Sequence, residues 1–317
     1  MKILANDGIS QSGIDALTND GFEVITTKVA QEQLINYINT HEITGLLVRS
    51  ATKVRKDVID GCKSLQLIGR GGVGMDNIDV EYARKKGLHV INTPAASSGS
   101  VAELVFGHLF NGVRFLHDSN RNMPLEGDSR FKDLKKSYAK GSELRGKTLG
   151  IIGFGRIGQA TAKMALGLGM NVIATDKFIE KAIVSVDFFN GQSIAIDIET
   201  ETMENVLKNA DFITLHVPAQ KEYIIGKKEI ALMKQGAGIV NASRGGTLDE
   251  VALVDALDTG KLSFAGLDVY ENEPTPAIKV LMNPYISLTP HIGAATYEAQ
   301  DRIGLELASQ ISTLLKG

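Results

Sequence analysis

The chain contains little cysteine, no marked excess of either charge and no long hydrophobic run. Cys62 is the only cysteine among 317 residues, which excludes an intramolecular disulfide framework and a metal cage built from cysteines. This usage suits a reducing cytosol. The net charge is only −3, from 34 basic and 37 acidic residues, so there is no electrostatic basis for binding nucleic acid.

Hydrophobic runs are short throughout the chain. None approaches the ~18 apolar residues that a membrane-spanning helix needs. The opening, Met1–Asp7, is too short to supply the hydrophobic region of a signal peptide. We therefore expect a cytoplasmic protein with no membrane partner, no nucleic-acid partner and no bound metal.

Length and pattern together predict two α/β domains. At 317 residues the chain exceeds what one hydrophobic core usually supports. Strand-like and helix-like runs alternate as far as Ile91, and a second alternating series runs from Thr148 to about Val269. Such alternation implies right-handed crossovers and parallel sheets covered by helices. The strand-like runs of the first series are Lys2–Ala5, Glu23–Thr26, Gly45–Val48, Leu65–Ile68 and His89–Ile91, and its helical patterns lie around Gln31–Ile38, Lys56–Cys62 and Val80–Lys86.

Four further segments connect or close these series. Pro94–Ser100 is rich in small residues and predicts a hinge, and Val101–Phe110 starts a long helix that leads into the second domain. Gly127–Gly146 is polar and predicts an irregular surface loop, with a basic flap for an anionic substrate as the less favoured interpretation. Thr296–Leu315 has the apolar spacing of a helix.

A glycine fingerprint stands where a buried strand turns into a helix, within Leu149–Gln159. Gly153 allows the tight turn, Gly155 lets the backbone approach a pyrophosphate, and Gly158 permits close packing of helix against strand. The helix N-terminus then offers N–H groups and a favourable dipole to the phosphates. Glycines also mark ordinary turns, so the surrounding strand and helix are what make this pattern predict a dinucleotide site.

An acidic residue stands at the position expected of a ribose ligand. The helical pattern Ile157–Leu168 leads into the strand-like run Asn171–Thr175 and then Asp176, close to the usual offset of ~20 residues. A carboxylate there accepts ribose hydroxyls and repels a 2′-phosphate, so NAD is favoured over NADP. The adjacent Lys177 would soften that preference. The less favoured alternative is that Asp176 only caps a loop.

Arg244 is a candidate substrate ligand. It follows the strand-like run Gly238–Ala242, at the carboxyl end where open α/β sheets bind ligands. Its planar guanidinium suits a carboxylate or an α-oxygen and stays charged at any working pH. Small residues flank it as if to leave room for a ligand, which favours a substrate site over a surface ion pair.

His291 is the candidate acid/base. It follows Thr289-Pro290, and histidine is the side chain best suited to exchange a proton near neutral pH. The chain has six histidines, and a lone histidine is more often structural. Glu273 changes that balance, because a neighbouring carboxylate would orient the ring and favour the imidazolium. The sequence alone does not bring the two side chains together.

These motifs, in this order along nearly the whole chain, resemble the D-isomer-specific 2-hydroxyacid dehydrogenases. They are the glycine loop with Asp176, Asn-Ala-Ser-Arg-Gly at 241–245, Asp-Val-Tyr-x-x-Glu-Pro at 268–274 and Thr-Pro-His-Ile-Gly-Ala at 289–294. The resemblance implies two doubly wound parallel-sheet domains with a cleft between them. Residues 1–96 and 288–317 would form a flavodoxin-like substrate domain, and residues 97–287 a Rossmann domain that binds NAD. A homodimer is implied as well.

The resemblance also assigns roles to particular residues. Arg244 would bind substrate, Glu273 would pair with His291, and His291 would be the acid/base. The residues implied in cofactor binding are Gly153, Gly155, Arg156, Ile157, Gly158, Asp176, His216, Val217, Pro218, Ala242, Ser243, Asp268, Gly293 and Ala294.

Within the family, the N-terminal half most resembles the members that oxidise 3-phospho-D-glycerate. The similarity lies in Val48–Val54, Gly69–Asp79 and Ser100–Leu104. Arg49 and Ser50 offer a charge and a hydroxyl to a phosphate. The loop Gly71–Gly74, with Gly72 and Val73, would present backbone N–H groups to a carboxylate; a bare tight turn is the alternative for its glycines.

Two features differ from those members. Ser97 stands where they commonly carry an asparagine that contacts substrate, so we expect one substrate hydrogen bond to differ. The sequence ends at Gly317 without the regulatory module of longer members, so feedback by serine is not expected.

The sequence therefore predicts NAD-dependent oxidation of 3-phospho-D-glycerate to 3-phosphohydroxypyruvate, the first step of phosphorylated serine biosynthesis. The alternative is a glyoxylate/hydroxypyruvate reductase or another D-2-hydroxyacid reductase. A non-catalytic NAD-sensing interaction protein is a further alternative.

Overall fold

The computed structural model describes residues Met1–Lys316 and divides into two units. The first comprises Met1–Ser100 and the chain from Ala294 onward, and the second comprises Val101–Gly293. These boundaries lie slightly later along the chain than those expected from the sequence.

The strands and helices of the described residues alternate along most of the chain. The strands are β1 (Lys2–Ala5), β2 (Glu23–Ile25), β3 (Ile43–Val48), β4 (Leu67–Arg70), β5 (His89–Asn92), β6 (Thr148–Ile152), β7 (Asn171–Thr175), β8 (Lys181–Asp187), β9 (Ser193–Glu199), β10 (Phe212–Leu215), β11 (Ala237–Asn241), β12 (Leu262–Leu267) and β13 (Ile286–Leu288). The α-helices are α1 (Gln11–Asn19), α2 (Leu34–His41), α3 (Lys56–Gly61), α4 (Val80–Lys85), α5 (Ser98–Arg114), α6 (Leu116–Glu126), α7 (Phe131–Ser137), α8 (Arg156–Gly167), α9 (Met203–Asn209), α10 (Lys227–Leu232), α11 (Glu250–Asp258), α12 (Ile278–Leu281) and α13 (Tyr297–Lys316).

The first unit is built on a parallel sheet with the strand order β2-β1-β3-β4-β5, which is the flavodoxin-like order. Alternate strand residues enter different hydrophobic clusters: Leu4 packs with α2, α3 and α4, whereas Ile3 packs with α13. The side chains of successive strand residues point to opposite faces, so helices cover both faces of this sheet. The predicted α/β fold is confirmed here.

The second unit is built on a six-stranded parallel sheet with the order β13-β12-β11-β10-β6-β7. Its strands also separate their residues between two clusters: Ile239 packs with α9, α10 and α11, whereas Val240 packs with α5 and α8. The predicted Rossmann-like sheet, covered by helices on both faces, is confirmed. Its carboxyl edge carries the glycine loop after β6, Asp176 after β7 and Ser243-Arg244 after β11.

A two-stranded antiparallel hairpin, β8–β9, follows β7 where regular alternation predicts a helix. Its alternating apolar residues and the Asn190-Gly191 turn are typical of a hairpin. Val184 and Ile198 are buried on one face, whereas Phe189 at the tip is fully exposed. A β-bridge between Ala174 and Thr200 joins β7 to the residue that follows β9.

The polar segment Gly127–Gly146 is more ordered than the sequence indicates. The prediction of an irregular loop is wrong over Phe131–Ser137, which forms α7 with only Leu134 buried. Lys135 and Lys136 lie in its last turn, where the helix dipole favours positive charge. The described part of the chain, Met1–Lys316, includes no helix with the length and apolarity needed to cross a membrane.

Candidate functional site

The glycine loop of the second unit combines tight packing with open space. Gly153 has φ +93°, and a Cβ there would lie 2.4 Å from the carbonyl oxygen of His216. A Cβ on Gly158 would lie 2.2 Å from the carbonyl oxygen of Gly153. At Gly155, by contrast, an added Cβ would meet no atom within 4 Å. The fold therefore requires Gly153 and Gly158, while the space before Gly155 fits the approach of a pyrophosphate.

Helix α8 starts at this loop. Gly155 is its N-cap and supplies no side-chain acceptor to the first N–H groups, so those donors suit phosphate oxygens. Arg156 is exposed at the first helical position, whereas Ile157 is half-buried. The N–H groups of this first turn suit the phosphates of the dinucleotide that the fingerprint predicts.

Asp176 fastens the glycine loop to the end of β7. Its Oδ2 accepts a hydrogen bond from Phe154 N at 2.6 Å, and its Oδ1 accepts from Phe178 N at 2.8 Å and Ile179 N at 3.1 Å. A carboxylate offers about four acceptor positions, so about one remains for a ribose hydroxyl. Lys177 Nζ lies 5.5 Å from the centre of the Phe178 ring.

His216, Val217 and Pro218 follow β10 beside the glycine loop, and the ring of His216 is enclosed. The hydroxyl of Thr161 donates to Ile157 O at 2.9 Å, and His216 Nε2 lies 3.2 Å from Thr161 Oγ1 and 3.1 Å from Thr214 Oγ1. His216 Nδ1 is buried and has no hydrogen-bond partner within Met1–Lys316. Burial lowers the pKa of His216 to about 3. This histidine is therefore a neutral structural element at the base of the loop, and Val217 and Pro218 are the more exposed members of the run.

Arg244 lies on a loop that an asparagine braces. Asn241 Oδ1 accepts from Ser243 N at 3.1 Å and from Ser243 Oγ at 2.8 Å. Asn241 Nδ2 donates to Arg244 O at 3.1 Å, and Thr247 Oγ1 donates to the same oxygen at 2.7 Å. The guanidinium Nη1 of Arg244 donates to Ser243 O at 2.7 Å. Ala242 and Ser243 are themselves buried. These hydrogen bonds from Asn241 and Thr247 fix the backbone from which the Arg244 side chain extends.

The Arg244 loop lies directly against the loop that carries Glu273. A Cβ added at Gly245 would stand 1.8 Å from the carbonyl oxygen of Tyr270, so only glycine allows this approach. Glu273 Oε1 in turn accepts from Tyr270 N at 3.0 Å. The arginine and the acid are therefore supported by backbone segments in contact.

Glu273 and His291 meet in the structure. Nδ1 of His291 donates to Oε2 of Glu273 at 2.8 Å, and the side chains keep exposures of 42% and 36%. Because Nδ1 is engaged, Nε2 is the nitrogen available for proton exchange. His291 has φ +57°, a left-handed conformation that non-glycine residues seldom adopt.

Asp268 holds the backbone around His291. Its carboxylate is buried and accepts from Ile292 N at 2.8 Å, Gly293 N at 2.8 Å and Thr289 Oγ1 at 2.6 Å. Every one of these contacts lies within the histidine loop. Asp268 and Gly293, which the resemblance implies as cofactor ligands, thus have a clear part in shaping that loop.

In the first unit, Arg49 and Ser50 follow β3 on a loop that Asp7 anchors. Asp7 Oδ2 accepts from Arg49 N at 2.7 Å and from Thr52 N at 3.1 Å, while Asp7 Oδ1 accepts from Thr52 Oγ1 at 2.7 Å. Asn77 Nδ2 donates to Arg49 O at 2.7 Å. The backbone of Arg49 is fixed, and the side chain of Ser50 is exposed.

The loop after β4 has fewer available N–H groups than the sequence suggests. Gly71 N donates to Val48 O at 2.9 Å and Gly72 N to Thr93 Oγ1 at 2.8 Å. Among the described residues, Val73 N and Gly74 N have no such bond. In this loop, Val73 N and Gly74 N are therefore the candidate donors to an anion.

The sequence reasoning missed Arg70. A Cβ added at Gly72 would lie 1.9 Å from Nη1 of Arg70, and one at Gly71 would lie 3.7 Å from Cγ of Arg49. Two arginine side chains thus lie against successive residues of one loop. The position of Arg70 at the carboxyl end of a buried strand is the signal that could have identified it.

Two further predicted residues lie in the first unit. Ser97 is only 1% exposed, so its hydroxyl is closed to solvent in this structure. The carbonyl oxygen of Ala294 accepts from Gln300 Nε2 at 2.7 Å, which fixes it to the start of α13.

We expect the free energy of unfolding to fall as the pH drops through the range set by two buried histidines. Burial lowers the pKa of His108 from 6.5 to about 4 and that of His216 from 6.5 to about 3. Below pH ~6.5 the unfolded chain binds more protons than the folded chain, so stability declines until the folded-state values are reached. Urea unfolding of the protein and of His216→Gln at about pH 7 and about pH 4.5 tests this. The variant should lose less stability between these two pH values, and an identical loss contradicts the prediction.

Fold and site together define an NAD-binding α/β protein whose arginine and histidine–glutamate pair follow strands at the same carboxyl edge of the sheet as its dinucleotide loop. Residues 106–293 match the family model described as D-isomer specific 2-hydroxyacid dehydrogenase, NAD binding domain. The chain belongs to the D-isomer specific 2-hydroxyacid dehydrogenase family, and NAD is the cofactor of that domain.

Relatives of known name differ in substrate and in length. The chain is 41% identical to a D-3-phosphoglycerate dehydrogenase of Methanocaldococcus jannaschii over 100% of this chain and 58% of that protein. It is 42% identical to a hydroxypyruvate reductase of Thermotoga maritima over 98% of this chain and 97% of that protein. The chain thus spans little more than half the length of the first relative.

A solved structure shows the same fold with ligands. D-lactate dehydrogenase of Aquifex aeolicus, complexed with NAD and lactic acid, superposes with a TM-score of 0.75 at 28% identity, over 100% of this chain and 96% of that one.

Proposed function

We propose that this protein is an NAD-dependent D-2-hydroxyacid dehydrogenase that oxidises 3-phospho-D-glycerate to 3-phosphohydroxypyruvate, the first step of serine biosynthesis by the phosphorylated route. The observation that supports a phosphorylated substrate is the pair of side chains, Arg49 and Arg70, that lie against the loop Gly71–Gly74. Guanidinium groups bind phosphate oxygens through paired, charge-assisted hydrogen bonds. The name of the M. jannaschii relative supports this substrate.

The chemistry follows from the hydrogen bonds of His291. In the oxidation, neutral His291 takes the proton of the C2 hydroxyl at Nε2, since Nδ1 donates to Glu273. The Glu273 carboxylate then stabilises the imidazolium, and in the reverse direction that imidazolium returns the proton to the keto oxygen. NAD, when bound, supplies the hydride acceptor for C2.

Arg244 binds the reacting end of the substrate in this proposal. Its guanidinium would orient the substrate and stabilise negative charge on the C2 oxygen while the proton moves. Within the first unit, Val73 N and Gly74 N lack a bond among the described residues and are donors suited to a carboxylate.

Hydroxypyruvate reduction is a second candidate because one observation favours it. The hydroxypyruvate reductase of T. maritima matches this chain over nearly the full length of both proteins. Its substrate lacks a phosphate, so Arg49 and Arg70 would then contribute little to substrate binding. The same His291, Glu273 and Arg244 would perform the chemistry.

We further propose that the protein is a cytoplasmic homodimer. The support is a group of exposed apolar side chains on α5 and α6: Phe110 at 39%, Leu116 at 47%, Met123 at 43% and Leu125 at 76% exposure. Exposed apolar groups on a helix pair are typical of a surface that another copy covers.

We expect Arg49→Gln and Arg70→Gln each to raise the KM for 3-phosphohydroxypyruvate by about ten- to a hundredfold. A hydrogen bond to a charged group contributes about 1.5–3 kcal/mol, and glutamine keeps a donor but removes the charge. The KM for glyoxylate should change little. Initial rates of NADH oxidation with 3-phosphohydroxypyruvate, hydroxypyruvate and glyoxylate measure both effects, and parallel assays with NADPH test the cofactor preference.

Arg55→Gln is the matched control. Arg55 is exposed and pairs with Asp79 at 2.9 Å, outside the glycine loop, so its loss should leave every KM unchanged. Equal losses on phosphorylated and unphosphorylated substrates would remove Arg49 and Arg70 from phosphate binding and favour hydroxypyruvate. No turnover by the unmodified protein with any of these acids would favour an NAD-sensing protein.

A further inference from the structure

His108 is a polar side chain in an apolar core. It lies on α5, is 1% exposed, and packs so closely on β12 that a Cβ added at Gly266 would stand 2.4 Å from its own Cβ. Both ring nitrogens have partners: Nδ1 lies 2.9 Å from Ser287 Oγ, and Nε2 lies 3.1 Å from Thr289 Oγ1. A buried histidine with two matched partners has a fixed orientation, so its hydrogen bonds have defined directions.

The direction of each hydrogen bond follows from Asp268. A carboxylate only accepts, so the hydroxyl of Thr289, 2.6 Å from Asp268 Oδ1, must donate its single proton there. Thr289 Oγ1 can then only accept from His108, which places a proton on Nε2. Nδ1 consequently accepts from the hydroxyl of Ser287. His108 is thus the neutral Nε2–H tautomer.

The electrostatic surroundings keep His108 neutral. Burial, aided slightly by His117, lowers its pKa to about 4, although the charge of Asp268 acts in the opposite direction. Near neutral pH the ring therefore has one donor and one acceptor, as the network requires.

The network ends at the backbone that carries His291. Asp268 accepts from Ile292 N and Gly293 N, the two amides that follow His291. That residue has φ +57°, a left-handed conformation that is strained for a non-glycine residue. Such a backbone persists only if its surroundings hold it, and the Asp268 carboxylate supplies two of the bonds that do so.

We propose that His108 is a positioning residue for His291: its Nε2–H orients the Thr289 hydroxyl toward Asp268, and Asp268 fixes the left-handed backbone of His291. This inference rests on the proposed acid/base role of His291, but the structural half of it does not depend on turnover. The ring of His108 bonds to Ser287 and Thr289, so it acts on His291 through Thr289 and Asp268.

The test compares polar replacements that differ in which ring nitrogen they imitate. The amide of His108→Gln reaches the place of Nε2 and can still donate to Thr289, whereas the shorter His108→Asn reaches only the place of Nδ1. His108→Leu has no polar group. We expect Asn and Leu to lower kcat by about ten- to a hundredfold, as misplaced catalytic groups do, with the KM for NADH unchanged. Gln should keep kcat within about threefold of the parent, because its amide keeps the hydrogen bond to Thr289.

Hydrogen exchange supplies a readout that is independent of activity. The amides of Ile292 and Gly293 should exchange faster in His108→Asn and His108→Leu and at the parental rate in His108→Gln. His41→Leu is the matched control, since His41 is exposed on α2 and outside this network, and it should alter neither measurement. If His108→Leu does not fold, the Asn and Gln pair carries the same comparison.

Two results would overturn the proposal. One is parental exchange of Ile292 and Gly293 in His108→Asn, and the other is an equal loss of kcat in the Asn and Gln variants. If the unmodified protein turns over none of the acids named above, the proposed function fails while the exchange experiment still decides the role of His108.

Discussion

Replacing His291 with asparagine is expected to lower kcat by about 10²- to 10⁴-fold, the range that general acid–base catalysis contributes. Asparagine has an amide near the position of Nδ1 that can donate to Glu273, but it has no group that exchanges a proton at Nε2. The loop should therefore keep its shape while the acid/base is lost. Initial rates with 3-phosphohydroxypyruvate and NADH, together with fluorescence titration of NADH, measure both properties.

Glu273→Gln separates orientation from charge. A glutamine oxygen still accepts from His291 Nδ1, the contact of 2.8 Å in the parent, while its amide nitrogen replaces the oxygen that accepts from Tyr270 N. The neutral side chain does not stabilise an imidazolium. We expect a smaller loss of kcat than in His291→Asn and unchanged binding of NADH. If His291→Asn turns over as fast as the parent, His291 is not the acid/base and the proton must go elsewhere.

Much of the fold follows from the sequence because alternation is a strong local signal. The apolar runs at Lys2–Ala5 and His89–Ile91 are strands in the structure, with a shift of at most one residue. Ser10 caps α1, with its hydroxyl accepting from Gly13 N. Each of these features depends on side-chain pattern over a few residues, and such patterns are visible in a single sequence.

The elements that the sequence reasoning missed depend on tertiary contacts or on a change of period. The β8–β9 hairpin replaces a helix because apolar residues there alternate with a period of two, and Asn190-Gly191 favours the turn. Helix α7 buries only Leu134, so its amphipathic signal is weak. For the hairpin, an expectation of regular alternation outweighed the local signal. For α7, the polar composition favoured a loop over a weakly amphipathic helix.

The candidate site likewise contains residues that the sequence predicts and residues that it does not. Arg244, Glu273 and His291 are predictable because their residue types suit the chemistry and their motifs are distinctive. The brace from Asn241 and the network from His108 depend on neighbours distant in sequence: His108 and Ser287 are 179 residues apart. No local sequence pattern marks an asparagine or a histidine for such a role, so the roles of Asn241 and His108 become visible only in the three-dimensional structure.

The Arg244→Gln substitution is expected to lower kcat/KM by about 10²- to 10³-fold, the loss typical of removing one donor to a developing oxyanion. The loop should survive, because the bonds from Asn241 and Thr247 end on the backbone carbonyl of Arg244 and not on its guanidinium. Arg244→Lys should recover only part of the rate, since an ammonium restores charge but not the planar pair of donors. Initial rates for both variants with 3-phosphohydroxypyruvate and with glyoxylate give the comparison.

The two substrates make the assignment specific. Both are 2-oxo acids, so a guanidinium that acts at the reacting end must affect them to a similar degree, in contrast to Arg49 and Arg70. Asn241→Ala serves as the structural control, because it removes the brace and should lower both the thermal midpoint and the rate. Arg244→Gln should lower the rate alone. If Arg244→Gln impairs only the phosphorylated substrate, the guanidinium serves the phosphate and another group must stabilise the C2 oxygen.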